Sequence, residues 1–436
     1  MLAKIIYLTG VYFRSPEIFQ IYRSLKNTEK WSLQELRTLQ LQKLKRMVSL
    51  AYEKSKYYRN LYDSNNIKPV DIATLSDLKK IPCISKNDLL ANRNEIQNRK
   101  GYRRLFYSET SGTTGQPLVF YRDSIWDAST RSAQLRGYSW YGVNPWDRNG
   151  YFWGYSFDFK KKAKIVFQDL LLNRFRTFSY DREEIRIFSK KMEKAVYLEG
   201  YSSMIYEAAK LVMDQNCKGK INLKMVKGTS ETIFDRYQQA SIEAFGRKIV
   251  SEYGSSETGI IAFECPKGNM HVVMENVIVE VEAGEVIVTN LVSDSFPIIR
   301  YKLGDAVNMV NNSVCPCGMK HEILGDVSGR VGSVIYGKQK TYPSLTLYYV
   351  FKNMAIKHNV SLNYQGVQNE AGKIDLLIEQ QLNQETQLQL QSELDMYFGE
   401  DVNVVMLPGK LVRDYTHKFK DFISNIPSLE AKSMNR

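Results

Sequence analysis

At 436 residues the chain exceeds a single typical core, so two or more domains are expected. Its 43% hydrophobic and 25% charged residues are those of an ordinary globular protein, and no run approaches the ~18 apolar residues of a membrane-spanning helix. The net charge of +13 comes from Lys and Arg scattered along the chain, which argues against a specific nucleic-acid-binding tract and leaves nucleotides, polyanionic substrates or an anionic membrane surface as partners.

The apolar opening Met1–Phe13 lacks a small-residue cleavage site and reads as a helix packed on the body, with peripheral membrane contact as the alternative. Leu33, Leu36, Leu39, Leu41, Leu44, Met47, Val48 and Ala51 recur at three and four, opposite Lys, Gln and Arg, and predict a long helix that Tyr57, Tyr58 and Tyr62 extend. Ser85 is a candidate N-cap for Asp88-Leu-Leu, and Cys83, between apolar neighbours, is expected to be a buried thiol. Then comes Tyr107-Ser-Glu-Thr-Ser-Gly-Thr-Thr-Gly-Gln-Pro117, five hydroxyl side chains around Gly112 and Gly115 between β-forming segments. Such a loop can cradle phosphates, because glycines let the backbone approach an anion while N–H groups and hydroxyls donate to its oxygens. No Gly-Lys-Ser/Thr follows, so it is not a Walker loop, and a plain Ser/Thr-rich turn has the same composition.

Leu118–Tyr121 reads as the second strand of this hairpin and Trp126–Gly142 as a helix. Aromatics crowd 138–141 and 151–155, as core or as the lining of an acyl pocket, and Lys160-Lys-Lys162 reads as a solvated loop. Strand, glycine turn and helix recur from Leu198, from Met225 and again at Lys248–Gly254, which implies a mostly parallel α/β sheet. From about 277 short strands take over at 277–281, 285–289 and 298–301, a β-rich subdomain. Past Gly329-Arg330 lies a small α+β segment with strands near 373–377 and 402–406 and a helix over 384–398, before a tail that looks unstructured after Pro427.

Four stretches carry the chemistry: Thr110-Ser-Gly-Thr-Thr-Gly-Gln-Pro117, Tyr253-Gly-Ser-Ser-Glu-Thr-Gly259, Arg300-Tyr-Lys-Leu-Gly-Asp305 and Gly329-Arg330, with a lysine near the C-terminus. In this order they resemble the adenylate-forming superfamily, nearest its phenylacetate–CoA ligase-like branch with the CapK-like proteins of capsular polysaccharide biosynthesis. The resemblance covers most of the chain. It implies an ATP-dependent ligase in which Thr110, Ser111, Gly112, Thr113, Thr114 and Gly115 hold the β- and γ-phosphates and Glu257 coordinates Mg²⁺. Tyr253, flanked by Glu252 and Gly254, would stack on adenine; Asp305 would bind both ribose hydroxyls; Arg330 would contact ribose or phosphate; Ser230 and Glu231 belong to another nucleotide segment. Lys418 takes the place of the family's catalytic lysine, with Lys420 a close rival. His417 stands where relatives have glycine, Gln116 where they often have lysine or arginine, and Val-Gly-Ser follows Arg330 without the usual acidic residues.

The resemblance implies a domain 1–329 binding ATP and a carboxylic acid, and a mobile domain 330–436 carrying the lysine. Coenzyme A is the family's default acceptor, with a sugar-linked acceptor as the alternative, and a catalytically degenerate nucleotide-binding member is the non-enzymatic reading. Separately, Cys265 and His271 with Cys315-Pro-Cys317 form a Cys₃His set suited to a closed structural Zn²⁺ site. The same arrangement occurs in the family branch. A reduced, unligated pair is the simpler reading, and His321, after the pair, looks like part of an exposed turn. Five cysteines make no disulfide framework and suit a reducing cytoplasm.

Overall fold

The computed structural model describes residues 2–110, 117–152, 159–177, 182–214, 221–229, 233, 235–282, 284–310, 314–328, 334–358, 360, 362, 364–409 and 422–426. Its centre is an eleven-stranded sheet. Five strands, Arg174–Thr177, Asn149–Phe152, Tyr197–Tyr201, Met225–Thr229 and Ile249–Ser255, run parallel in that spatial order. At Ile249–Ser255 the sheet reverses: Gly259–Glu264 and Met270–Val272 continue antiparallel, followed by Ile323–Ser328, Tyr301–Val310, Glu285–Asn290 and Val277–Glu282. The fold is therefore the α/β class expected, with the β-rich part a continuation of the same sheet. Helices Arg182–Met192, Ser202–Asp214 and Asp235–Phe245 bury their apolar sides on the parallel strands around Phe152, Leu198, Ile205, Val226 and Ile249.

The long helix Leu33–Lys54 starts at a capping box in which Ser32 and Glu35 satisfy each other's backbone N–H groups. It buries Leu36, Leu44, Met47, Val48 and Ala51, the expected stripe. Gln40, on the expected polar side, is buried instead, and its side-chain amide donates to the Val277 carbonyl at 2.8 Å. Ser85 does cap helix Lys86–Ala91, again as a capping box, with Asp88. Cys83 is half-buried rather than buried, because Ile81 and Ile84 turn inward and the Ile84 backbone pairs with Arg300 and Lys302. Of the stretch 298–301 only Tyr301 is strand. Arg300 sits at φ 50°, its N–H bonded to Thr289 Oγ1 and its buried guanidinium held by Glu280, Glu282 and the Ile81 carbonyl, so the strand starts at Tyr301. Lys160–Lys162 lie in helix Phe159–Leu171, not in a loop, consistent with the good helix propensity of lysine.

The hairpin around the glycine loop is present as Leu105–Glu109 against Val119–Asp123, and helix Ser124–Trp140 follows, its N-terminus accepted by the Asp123 carboxylate. After 334 the chain forms a separate four-stranded sheet, ordered Asn403–Pro408, Lys373–Ile378, Tyr364–Glu370 and Phe422–Ser424. Helices Leu345–Lys357 and Gln384–Phe398 close its own core around Leu347, Phe351, Leu376, Leu390 and Phe398. The tail after Pro427 lies outside the described residues. Among the described residues no helix is long and apolar enough to cross a membrane.

One buried cluster ties the helical layer to the sheet. The Glu275 carboxylate accepts from Arg136 Nη1 at 2.6 Å, from His321 Nε2 at 2.9 Å and from the Thr28 hydroxyl, all buried. Burial alone would push this carboxyl up, but the Arg136 cation and His321 hold it well below the usual carboxylate range. Its contribution to stability is present above the unfolded carboxyl value of about 4.3 and is lost as pH falls through the depressed folded value. Glu275→Gln, which strands the Arg136 charge, should cost about 3–5 kcal/mol in urea unfolding at pH 7. That difference should shrink in titrations carried toward acid; a pH-independent difference would contradict the ionised pairing.

Candidate functional site

Thr110 closes the base of the glycine loop: its N–H donates to the Leu118 carbonyl and its Oγ1 accepts from the Leu118 N–H, both at 3.0 Å. The loop residues Ser111, Gly112, Thr113, Thr114 and Gly115 lie outside the described residues, as do Ser230, Glu231, Arg330, Lys418 and Lys420. What is described brings the remaining motifs to the same place. Ser256 Oγ donates to the Glu109 carbonyl at 3.3 Å, seating the 253–259 turn against the end of the hairpin. Glu257 is buried, and its Oε1 accepts from the Tyr301 hydroxyl at 3.1 Å. Asn290 Nδ2 braces the Thr258 carbonyl at 3.2 Å. Tyr253 donates its hydroxyl to Asp305 Oδ2 at 3.0 Å. Thr110, Tyr253, Glu257 and Asp305 thus share one region through direct or single-residue links.

Two features of this turn follow from its backbone. A Cβ on Gly254 would lie 2.3 Å from the Gly259 carbonyl oxygen, so no larger residue fits where the strand folds back on itself. Because successive strand residues point to opposite faces, Glu252 looks away from Tyr253. Its carboxylate accepts from Lys227 Nζ at 3.0 Å and Gln134 Nε2 at 3.4 Å. Lys227 also lies 3.3 Å from Glu199, which takes Arg174 Nη2 at 3.0 Å and the Tyr138 hydroxyl. Burial works against the Lys227 cation, but Glu252 and Glu199 outweigh it and hold its ammonium above the usual value. Burial likewise opposes ionisation of Glu199, and Lys227 and Arg174 hold its carboxyl below the usual value. This network and the Tyr301 contact to Glu257 were not assigned from sequence. The visible signals were a lone lysine inside the apolar run 225–229 and the tyrosine within the 300–305 motif.

The Cys₃His set also assembles. Ligand atoms of Cys265, His271, Cys315 and Cys317 all lie within 4.8 Å of one another. Cys265 Sγ is 3.6 Å from Cys315 Sγ and Cys317 Sγ is 3.2 Å from His271 Nε2, while His271 Nδ1 faces the His321 carbonyl at 3.3 Å. That bond leaves Nε2 as the ligating nitrogen, and burial lowers the imidazole to about 4, so it is neutral at pH 7. The donor set and spacing fit a tetrahedral metal of zinc type. His321 is buried on Glu275 rather than exposed, and this removes it as a rival ligand.

The end of the sheet also meets the C-terminal unit, where the hydroxyls of Tyr201 and Tyr349 lie 2.9 Å apart. The segment holding Lys418 is bracketed by strands Asn403–Pro408 and Phe422–Ser424, which occupy opposite edges of the small sheet.

Comparison with known proteins places this architecture. No family model matches the chain. A solved 2-hydroxyisobutyryl-CoA ligase, in complex with its acyl-AMP and CoA, superposes with a TM-score of 0.63 at 17% identity over 94% of each chain. This chain has the fold of the adenylate-forming ligases. In sequence it is related to the protein CapK of Staphylococcus aureus, 24% identical over 362 residues, 76% of this chain and 80% of that protein. It is also related to the phenylacetate-coenzyme A ligase of Thermus thermophilus, 23% identical over 337 residues, 69% of this chain and 72% of that enzyme. A phenylacetate-coenzyme A ligase of Aromatoleum evansii is 39% identical over 99 residues, 22% of each chain.

Gly254→Ala should lower stability by about 1–3 kcal/mol, since backbone rather than a mobile side chain opposes the new methyl. A thermal melt indistinguishable from that of the parent protein would show that this close approach is absent.

Proposed function

We propose that this protein activates a carboxylic acid with ATP and transfers the acyl group to an acceptor thiol, amine or hydroxyl, with coenzyme A the first candidate. The observation that carries the reading is the Tyr253–Asp305 hydrogen bond beside Glu257 and the Thr110 hairpin, four motif positions gathered on a ligase fold. Tyr253 would stack on adenine and Asp305 would accept from the ribose hydroxyls. Thr110 through Gly115 would hold the β- and γ-phosphates by backbone N–H groups and hydroxyls. Ser230, Glu231 and Arg330 would complete the nucleotide site, with Glu252 and Gly254 shaping the adenine strand. Glu257, a hard oxygen donor, fits Mg²⁺, which would neutralise charge on the departing pyrophosphate.

In the first step a carboxylate oxygen attacks the α-phosphorus, the bond from that phosphorus to the β-bridging oxygen breaks, and pyrophosphate leaves. Lys418, reaching in from domain 330–436, would stabilise the negative charge on the α-phosphoryl oxygens and the carboxylate. In the second step the acceptor attacks the carbonyl carbon, the carbon–oxygen bond to AMP breaks, and the acceptor proton passes to solvent. The second reading, taken from the resemblance to CapK-like proteins alone, is a sugar-linked acceptor in cell-surface polysaccharide synthesis. Formation of the acyl-adenylate precedes either acceptor, so the first half-reaction is the test that does not depend on the choice.

ATP–pyrophosphate exchange over aryl, fatty, amino and uronic acids should appear with one acid class. Lys418→Ala should reduce it by about 10²-fold or more while Lys420→Ala retains it, and Glu257→Gln should weaken it through magnesium. Tight ATP binding without exchange for any acid would replace this reading with a nucleotide-binding, non-catalytic one. The same preparation should contain about one zinc per chain by elemental analysis, falling toward zero in Cys265→Ser/Cys317→Ser. Metal-free protein of unchanged melting temperature would reject the zinc site without touching the enzymology.

A further inference from the structure

Lys227, Arg136 and Arg300 are each matched by buried or half-buried carboxylates, but one group of cations is not. Phe106 and Arg122 stand opposite each other in the hairpin, so their side chains share a face. Arg14 and Arg104 lie over the Phe106 ring at 5.2 and 6.0 Å, with Arg104 Nη1 donating to the Arg14 carbonyl at 3.0 Å. Arg122 Nη2 and Arg131 Nε share the carboxylate of Asp127, at 3.4 and 2.8 Å. Four guanidinium groups, from the N-terminal helix, the hairpin and helix Ser124–Trp140, thus converge on one ring and one carboxylate.

Among the described residues, Asp127 is the one carboxylate bonded to this cluster. The Asp123 carboxylate accepts from the first N–H groups of helix Ser124–Trp140 and from the Ser295 N–H, and Glu17 pairs with Arg103 at 3.1 Å. Arg122 is under-bonded for its position, with its side chain 22% exposed and its Nε buried without a hydrogen-bond partner. The guanidinium groups also feel one another. Burial and then Arg131 hold Arg14 below its usual value; burial does the same to Arg122 against the pull of Asp127, with Arg131 and Arg14 adding to it. Arginine does not shed its proton in proteins, so the excess positive charge persists. Arg14, Arg104 and Arg131 are exposed, which leaves the cluster open to a ligand.

We propose that Arg14, Arg104, Arg122 and Arg131 bind the phosphate of a phosphomonoester or diphosphate ligand. Guanidinium forks match phosphate oxygens two at a time, and a group with two negative charges relieves the repulsion among them. The β- and γ-phosphates of ATP are not that ligand. Phe106 and Arg122 lie three residues along the strands from Glu109 and Val119, roughly 10 Å from the end of the hairpin that carries the glycine loop. Arg131 follows Thr130, whose Oγ1 would be 2.6 Å from a Cβ on Gly259, at the end of the turn that carries Glu257. The cluster therefore flanks the candidate nucleotide site without sharing a residue with it. Its use rests on the ligase reading: it would hold a phosphate-bearing acceptor, and coenzyme A and a nucleotide-activated sugar both carry such groups.

The test is calorimetric titration of the full chain, with a non-hydrolysable ATP analogue present, by adenosine 3′,5′-bisphosphate and by uridine diphosphate glucose. At least one should bind saturably and more weakly as salt rises; tighter binding of the first points to coenzyme A as the source of the phosphate, of the second to a sugar nucleotide. Arg14→Gln/Arg104→Gln should weaken that binding at least about tenfold, with its melting temperature retained or raised because like charges are removed. Arg131→Gln, which leaves Asp127 to Arg122, should weaken it separately. Binding of neither probe, or equal binding by parent and both variants, would overturn the proposal. Probe binding that the variants lose, in a parent protein without ATP–pyrophosphate exchange for any acid, would uphold the phosphate site and remove the ligase reading alone.

Discussion

The structure depends on the reversal of the sheet at strand Ile249–Ser255, which is parallel to one neighbour and antiparallel to the other. The turn that makes the reversal is short, so the chain must pass back within contact of itself at Gly254, and the residues of the turn are forced to the end of the sheet. Alternation along the strand then sends Glu252 to the Lys227 network and Tyr253 to Asp305. Three strands separate Ile249–Ser255 from Tyr301–Val310 in the sheet order, yet a 3.0 Å hydrogen bond joins them. The antiparallel part must curl back for this to happen, as twisted and coiled sheets do. The candidate nucleotide site is the product of that curl.

Buried charge follows the same geometry. Lys227 between Glu199 and Glu252, Arg136 and His321 on Glu275, and Arg300 on Glu280 and Glu282 each join segments far apart in sequence. Such pairs gain little over well-packed apolar residues, but losing one partner leaves a stranded charge. Their effect is positional. Arg300 holds the chain at a positive φ just before the strand that carries Tyr301 and Asp305, and Tyr301 in turn orients Glu257. The Cys₃His cluster acts at the other end of the antiparallel strands. It joins Cys265, beyond strand Gly259–Glu264, to Cys315 and Cys317, before strand Ile323–Ser328, and rests on the Glu275 cluster through His271 and His321.

The elements set by local pattern are legible in the sequence. The hairpin of the glycine loop, helix Leu33–Lys54, the Ser85 cap, the meander strands and the 384–398 helix each depend on patterns within a few turns or strand lengths. Apart from Lys160–Lys162, which lie in a helix and not a loop, the differences are long-range. Gln40 looked like a surface residue because its partner, the Val277 carbonyl, is over two hundred residues away. His321 looked exposed because Glu275 and Arg136 come from a different strand end and a different helix. Cys83 looked buried because its neighbours are apolar, though it is they that turn inward.

The sequence by itself determined the residue types of the candidate site, their order, and the α/β class, since periodicity and motif spacing are local properties of the chain. Tertiary structure alone decided that Tyr253 meets Asp305, that Tyr301 holds Glu257, that the two thiol-bearing segments converge on His271, and that Lys227 is buried between carboxylates. Those contacts depend on sheet order and curvature. These arise from the packing of the whole chain, which no window of sequence contains.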